Sequence, residues 1–307
     1  MMETKNLKKW IVCLDLSKMD EVVLGYVNFL AERLKPESIH FLHVVQSVGT
    51  LHNLIEEFPE LESEEDLYDL MEKQVQETID EKFTHKDIET GILMRKGSAT
   101  DQIIKMMEAD WPDLLILGKK NAYKGEGVLA RRVVKYVPCS VLFVPETARQ
   151  SLDSITVPVD FSEQSVWATK FALEMVKEQK GQVVAQHLFD YPKQYFPYMP
   201  DKKTMKKIDE DVKNKKAAFQ EEFKKVDDLD VELTLQEDGK MSDNIYDLCI
   251  TNQTDLIVVW SKARSTMLSM LKDKLPDRMA NYQFSIPLLI LKSKERNKKM
   301  FLSFLKG

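Results

Sequence analysis

Glycine is scarce in this sequence, which has 10 glycines among 307 residues. Loops that cradle phosphate groups depend on glycine, because a bare backbone lets several amide groups converge on an anion. The sequence contains neither a Gly-x-x-x-x-Gly-Lys-[Ser/Thr] phosphate loop nor a Gly-x-Ser-x-Gly nucleophile turn. These absences exclude the common nucleotide hydrolases with such a loop and the serine hydrolases with such a turn.

Cysteine motifs, long apolar runs and an excess of one charge are also missing. The three cysteines, Cys13, Cys139 and Cys249, form no Cys-x-x-Cys motif and lie in or beside apolar patterns, which indicates buried, reduced thiols. No apolar run reaches the roughly 18 residues of a membrane-spanning helix, and the N-terminal run ends at Asp15. The net charge of -6 combines interspersed acids and bases. We therefore expect a cytoplasmic protein without nucleic-acid or membrane partners.

Short apolar runs alternate with helix-like stretches along the first half. Apolar residues spaced three and four apart over 20–34 predict a helix with one buried face. The predicted strands are 11–14, 38–45, 88–94, 114–117 and 140–144, and the other predicted helices are 63–83, 99–109 and 128–137. Continuous apolar strands separated by helices are typical of a parallel sheet covered on both faces. Right-handed crossovers then predict a doubly wound α/β fold.

The second half repeats this order. Its predicted strands are 155–159, 183–189, 231–235, 256–260 and 287–291. Asp160 stands where Asp15 stands in the first half, and His187 stands where His43 does. Such collinear landmarks predict an internal duplication. We expect two domains, at 1–147 and 152–292, followed by a basic and apolar C-terminal tail at 293–307.

The opening strand of the second half, Ile155-Thr-Val-Pro-Val-Asp-Phe-Ser162, resembles that of the universal stress protein family. The first half carries a similar likeness from Lys96 through Gly118 to Pro145. The chain thus resembles a tandem universal stress protein. The resemblance implies an α/β fold with a five-stranded parallel sheet of strand order 3-2-1-4-5 in each half. It also implies that the halves pair through their last strands as an intramolecular pseudo-dimer, while a further homodimer stays open.

The resemblance implies a nucleotide site at the carboxyl ends of the strands. Nucleotide-binding members hold the base near an acid after the first strand and a backbone group after the second, and the phosphates in a glycine-rich loop after the fourth. Carried over to the first half, these positions are Asp15, Val45, Gly118, Asn121, Gly127 and Val128. Asn121 replaces a family glycine, and the loop is shorter than the family's. Lys119, Lys120 and Lys124 add positive charge, and Gly127 precedes a helix N-terminus, which favours anions.

The alternative for this loop is a tight strand-to-helix connection with solvated lysines. In the second half Asp160 matches the acid, but Trp260 and Ala263 occupy glycine positions. A tryptophan there would fill the space through which phosphates approach. We therefore expect ATP or AMP in the first half only, with Asp160 as a vestige of the base-contacting acid.

Other candidate chemistry is weaker. His43 and His187 match each other, but no second ligand recurs at metal-binding spacing, so we interpret both as strand-end histidines. Ser17 and Ser162 follow the acids without a histidine at a fixed relation, so we interpret them as helix N-caps and expect no catalytic residue. The aromatic stretch 190–200 either packs against Trp260 or walls a pocket. The tail at 293–307 either folds back or docks a partner.

Three functions remain open from the sequence. The first is a non-enzymatic stress-response protein that binds ATP, AMP or another small ligand in its first half. The second is an interaction scaffold that binds no ATP and acts through partner proteins. The third is a weak nucleotide hydrolase, for which Asp15 is the one candidate base.

Overall fold

Strands alternate with helices through most of the part of the chain that the structure describes, and most of these strands are apolar and buried. This computed structural model describes residues 7–45, 63–109, 112–120, 128–178, 180–191, 201–224, 229–236, 241–261 and 285–292. Residues 151–260 belong to one compact unit, and residues 4–150 together with residues from 261 onward belong to the other.

The larger unit contains the first set of elements. These are β1 (Lys9–Leu14), α1 (Met19–Leu34), β2 (Ser38–Val45), α2 (Glu64–Lys82), β3 (Glu89–Lys96), α3 (Ala99–Ala109), β4 (Leu114–Lys119), α4 (Val128–Tyr136) and β5 (Ser140–Pro145). Its strands lie in the order β3-β2-β1-β4-β5, and neighbours in this series are parallel. The predicted doubly wound fold with strand order 3-2-1-4-5 is confirmed here. Because successive strands are added to opposite sides of β1, the direction of winding reverses between β1 and β4.

The smaller unit repeats most of this arrangement. It contains β6 (Ser154–Pro158), α5 (Glu163–Val176), β7 (Gln182–Phe189), α6 (Lys202–Glu221), β8 (Leu229–Leu235), α7 (Met241–Thr251) and β9 (Leu256–Trp260). Strand β6 lies between β7 and β9, and β8 lies beyond β7, all parallel. The order β8-β7-β6-β9 matches β3-β2-β1-β4 of the larger unit, as an internal duplication requires.

An aspartate carboxylate at the start of the fourth strand joins it to the first strand in the same way in each repeat. One oxygen of Asp113 accepts hydrogen bonds from the backbone N–H groups of Lys8 and Lys9, at 2.9 and 2.8 Å. The matching oxygen of Asp255 accepts them from Asp153 and Ser154, at 2.9 and 3.2 Å. This repeated contact fixes the amino ends of the strands, so it holds the opposite ends in register.

The last strand, β10 (Leu288–Leu291), pairs with β5 in the antiparallel direction. Leu288 lies opposite Phe143, and Ile290 lies opposite Val141. The last strands of the two repeats therefore pair, as the sequence predicts. Strand β10 covers an edge of β5 that would otherwise expose unpaired backbone groups.

The ends of several elements differ from the sequence-based expectation. Ser162 caps α5 as predicted, and Ser63 caps α2 in the same way. Each hydroxyl accepts a backbone N–H from the residue three positions on. The cap position of α1 is Lys18 and not Ser17 as predicted, although the Ser17 hydroxyl accepts the backbone N–H of Met19, the first helical residue, at 3.2 Å. The repetition also predicts a last helix at 276–282, and these residues lie outside the described part of the chain. Within the described part of the chain, no helix has both the length and the apolar character needed to cross a membrane.

Candidate functional site

The carboxyl ends of β1 and β4 form a crevice at the point where the winding reverses. In doubly wound folds this is where ligands bind, because the loops from the two strands diverge to opposite faces of the sheet. Asp15 follows β1, and Lys120 follows β4. The Lys120 ammonium lies 2.7 Å from Oδ2 of Asp15, so one ion pair spans this crevice.

The turn after β1 holds Asp15 in a fixed orientation. Its Oδ1 atom accepts hydrogen bonds from the backbone N–H and the hydroxyl of Ser17, at 3.1 and 2.5 Å. Leu16 between them adopts a left-handed backbone with φ of 58°, which is strained for a bulky side chain. Partial burial alone would raise the pKa of Asp15, but hydrogen bonds from Lys120 and Ser17 hold it below its usual range. Asp15 is therefore an ionised acceptor.

A second carboxylate lies beneath this turn. Asp20, at the start of α1, is 3 % exposed and accepts the backbone N–H groups of Asp15 and Leu16, at 3.0 and 2.8 Å. Burial, together with the nearby Asp15 charge, raises the pKa of Asp20 to about 6, although the backbone hydrogen bonds oppose this shift. Asp20 stabilises the strained turn and places a second negative charge next to the crevice.

Gly118 allows α1 to approach β4 closely. A Cβ atom at this position would lie 2.6 Å from Cγ of Met19 and 3.1 Å from Cγ2 of Val23. Gly118 matches a glycine of the family's phosphate loop, and the close packing of α1 is a second reason for a glycine at this position. Because α1 starts directly after the turn that holds Asp15, this close approach keeps the acid beside the end of β4.

The other sequence-predicted positions are placed less completely. Val45 ends β2 and is buried, and its carbonyl accepts the backbone N–H of Gly97 at 2.9 Å. Leu14 lies opposite His43 in the parallel pair of β1 and β2. Asp15 and Val45 therefore lie near each other at the carboxyl ends of these two strands. Val128 is the first residue of α4. Asn121 and Gly127 lie outside the described residues. The structure thus brings Asp15, Gly118 and Lys120 together, and the roles of all these positions in binding remain predictions.

His43 and His187 hold the ends of the first strands. Nδ1 of His43 lies 3.0 Å from the carbonyl of Leu14, and Nδ1 of His187 lies 2.8 Å from the carbonyl of Val159. A carbonyl oxygen only accepts, so each Nδ1 carries the proton. Burial lowers the pKa of His43, although its bond to Leu14 opposes the shift. No group of three or more metal-ligating side chains occurs among the described residues.

The corresponding turn of the second repeat keeps the backbone but changes the chemistry. Phe161 has φ of 59°, matching Leu16. Oδ1 of Asp160 accepts hydrogen bonds from Ser162 and from the hydroxyl of Ser165. Ser165 stands where Asp20 stands in the first repeat, and it also accepts the backbone N–H of Asp160 at 3.0 Å. A neutral hydroxyl thus replaces the buried carboxylate.

Aromatic side chains surround the second repeat's turn. Trp260, at the position of Gly118, packs against Trp167 of α5 with ring centroids 5.5 Å apart. The Phe161 ring lies 4.1 Å from the ring of His187. Tyr191 donates to Asp209 of α6 at 2.6 Å, and residues 192–200 lie outside the described part. The second repeat therefore keeps its acid but has a pair of tryptophan rings where the first repeat has Gly118.

A polar cavity of about 370 Å³ lies on the other side of the first turn, against α2. Its lining includes Ser17, Asp20, Glu77 and Lys82 but neither Asp15 nor Gly118. It is therefore separate from the crevice between β1 and β4.

Sequence reasoning found the acid of this site but missed its partners. The lysines after β4 were expected to supply positive charge, but the pairing of Lys120 with Asp15 joins residues far apart in the chain. Asp20 reads in sequence as one of the acids common in a helix's first turn. The sequence does contain one signal for Asp20. The acid and the serine of the turn are the same in both repeats, but Ser165 stands in the second repeat where Asp20 stands in the first.

Comparison with known proteins supports the duplicated fold. A model of the universal stress protein family matches residues 6–145 and 152–292. A universal stress protein from Archaeoglobus fulgidus DSM 4304 is similar with a TM-score of 0.60 and 16% identity, over 94% of this chain and 97% of that one. A functionally unknown protein from Pseudomonas aeruginosa PAO1 reaches a TM-score of 0.63 with 14% identity, over 99% of each chain. No curated protein matches the chain. At such low identities the structural likenesses show the fold alone.

Proposed function

Because the chain belongs to the universal stress protein family, we propose that it is a non-enzymatic stress-response protein whose first repeat binds a nucleotide such as ATP or AMP. The observation that carries this proposal is the pairing of Asp15 with Lys120 across the crevice at 2.7 Å. An ionised carboxylate accepts hydrogen bonds from a base, and an ammonium attracts phosphate. Asp15, Val45, Gly118, Asn121, Gly127 and Val128 are the proposed contacts.

The second repeat serves as a structural partner in this proposal. Trp260 and its contact with Trp167 support this role, because these rings take the place of the backbone glycine that phosphates would approach. Asp160 is then a vestige of the acid. The domains proposed at 1–147 and 152–292 follow the duplication, and the cytoplasm is the proposed location.

Thermal unfolding with and without ligand tests the proposal. A nucleotide at about one hundred times its dissociation constant adds about 2.7 kcal/mol to the free energy of unfolding. We expect ATP or AMP to raise the melting temperature, and Asp15→Ala to remove the rise. Asp160→Ala is the matched control and should leave the rise intact. No rise in the wild-type protein at millimolar nucleotide would overturn the proposal.

A scaffold that acts through partner proteins is the second candidate. It is favoured by the fact that Lys120 and Ser17 already satisfy Asp15 without a ligand. A partner recovered without nucleotide, and lost when the tail at 293–307 is removed, would support it. A weak hydrolase is the least supported, because the hydrogen bonds from Lys120 and Ser17 that lower the pKa of Asp15 make it a weaker base.

A further inference from the structure

Both carboxylate oxygens of Asp15 are already used. Ser17 donates two hydrogen bonds to Oδ1, and the Lys120 ammonium contacts Oδ2 at 2.7 Å. A ligand that donates a hydrogen bond to Asp15 must share Oδ2 with Lys120 or displace it. Lys120 therefore competes with the ligand for Asp15, the proposed base-contacting group.

Displacement leaves Lys120 without its partner unless the ligand supplies a new one. A neutral ligand offers no anion, so the ammonium loses its ion pair when the ligand takes Oδ2. A ligand with a phosphate group lets the ammonium move from the carboxylate to the phosphate, where it again makes a charge-assisted hydrogen bond. Only a ligand that combines a hydrogen-bond donor with an anion gives both Asp15 and Lys120 a new partner.

The turn of the first repeat carries one more carboxylate than the turn of the second. Asp20 places a second carboxylate next to Asp15, whereas the second repeat has the neutral Ser165 at that position. Lys120 is the cation that pairs with Asp15 in this more acidic turn, at 2.7 Å from Oδ2.

We propose that Lys120 makes the crevice selective for nucleotides over nucleosides, because it competes with the ligand for Asp15 and regains an anionic partner only when the ligand carries a phosphate. This inference rests on the proposed nucleotide site in the first repeat. The Lys120 and Asp15 side chains are 38% and 56% exposed, so the pair is weakened by solvent. Exposed pairs of this kind change binding by up to about fivefold. We call this role of Lys120 a filter. Its pair with Asp15 weakens the binding of a nucleoside, whereas a nucleotide replaces the lost ion pair through its phosphate.

Calorimetric titration with AMP and adenosine tests the filter in wild-type protein, Lys120→Gln and Lys119→Gln. In K120Q, adenosine should bind up to about fivefold more tightly, because Oδ2 of Asp15 no longer pairs with an ammonium, and AMP more weakly, because the phosphate has lost a partner. The preference for AMP over adenosine should shrink accordingly. K119Q removes the same charge one residue earlier, and should weaken AMP without any gain for adenosine.

An unchanged preference in K120Q, with AMP binding intact in the wild type, would overturn the filter and leave the nucleotide site standing. Failure of AMP to bind the wild-type protein would overturn both. Carbon-13 NMR titration of Asp15 provides a measurement without ligand. Its pKa should be higher in K120Q than in K119Q, and equal values would overturn the inference because the ion pair would then be absent in solution.

Discussion

Leu16 and Phe161 occupy the same strained position, directly after the acid of each repeat. Their φ angles are 58° and 59°, in a region that bulky residues rarely adopt and that costs about 1–3 kcal/mol. Each repeat offsets this strain with a side chain five residues beyond the acid, which accepts the acid's backbone N–H. The turn therefore persists in both copies although the supporting residue is a carboxylate in one and a hydroxyl in the other.

Replacing Asp20 by serine, the residue at the matching position of the second repeat, should remove a pH dependence from the free energy of unfolding. Burial raises the pKa of Asp20 from 3.8 to about 6, so its contribution to stability is greatest below pH 3.8 and is lost as the pH rises through 6. The loss amounts to roughly 3 kcal/mol. Urea unfolding of wild type and Asp20→Ser between pH 4 and 8 should therefore show the variant gaining relative stability as the pH rises.

Asp69 provides a control for this measurement, because it is an exposed acid on α2. Asp69→Ser should keep the wild-type dependence on pH. A constant difference between Asp20→Ser and wild type across this range would show that Asp20 titrates normally in the folded protein.

The residues of the site were predictable to different extents. Asp15 follows a recognisable strand, so a motif identifies it. The ion pair with Lys120 could not be predicted, because it depends on how two loops 105 positions apart meet in space. The role of Asp20 was equally hidden, since an acid in the first turn of a helix is ordinary.

At the scale of elements, the packing of the first helix on the fourth strand differs between the repeats. Gly118 faces Met19 and Val23 in the first repeat. Trp260 takes the position of Gly118 in the second, where Gln164 and Ala168 occupy the positions of Met19 and Val23. A larger residue on the strand is thus matched by a smaller residue on the helix. The sequence shows each substitution, but only the contact explains why they occur together.

Adding a single methyl group at Gly118 should therefore destabilise the protein. The new Cβ would lie 2.6 Å from Cγ of Met19, which is too close for an unshifted side chain. We expect Gly118→Ala to lower the free energy of unfolding by about 1–3 kcal/mol, measured by urea unfolding. Combining it with Val23→Ala, which copies the second repeat, should cost less than the two changes added together. Strict additivity would show that this contact does not limit the approach of α1.

Element order and type were largely predictable, whereas element ends were not. Apolar runs predicted the strands of the larger unit because buried parallel strands are apolar on both faces. Strand β4 was expected to end at 117 but continues to Lys119, since pairing of Lys119 with Pro145 extends the ladder past the apolar run. Backbone pairing with a neighbour, which the sequence does not display, decides such ends.

At the scale of the whole molecule, the two repeats have kept one framework and diverged at the end of the fourth strand. The two repeats retain the same strand ties through Asp113 and Asp255 and the same strained turn. They differ where a ligand would enter, with Gly118 in one and Trp260 in the other. The shared features therefore belong to the fold, and the differing ones are where a division of roles between the repeats has to be sought.

Lys292 attaches the end of β10 to α4 and should be essential to the edge of the larger unit. It is 4% exposed, and its ammonium donates to the carbonyls of Val134 and Val137, at 2.6 and 2.5 Å. These carbonyls lie at the C-terminal end of α4, where a cation is favoured by the helix dipole. Lys292→Met should destabilise the protein by about 1–3 kcal/mol for each carbonyl left without a donor.

Hydrogen exchange measured by mass spectrometry locates the effect of Lys292→Met. Exchange should accelerate in α4, β5 and β10, while β6, β7 and β8 keep their protection, because the lost contacts belong to the larger unit. Lys135→Met removes a half-buried charge from α4 itself and provides the control. Equal protection of β10 in wild type and Lys292→Met would mean that backbone pairing is sufficient to hold β10 in place, and that the buried lysine contributes nothing to it.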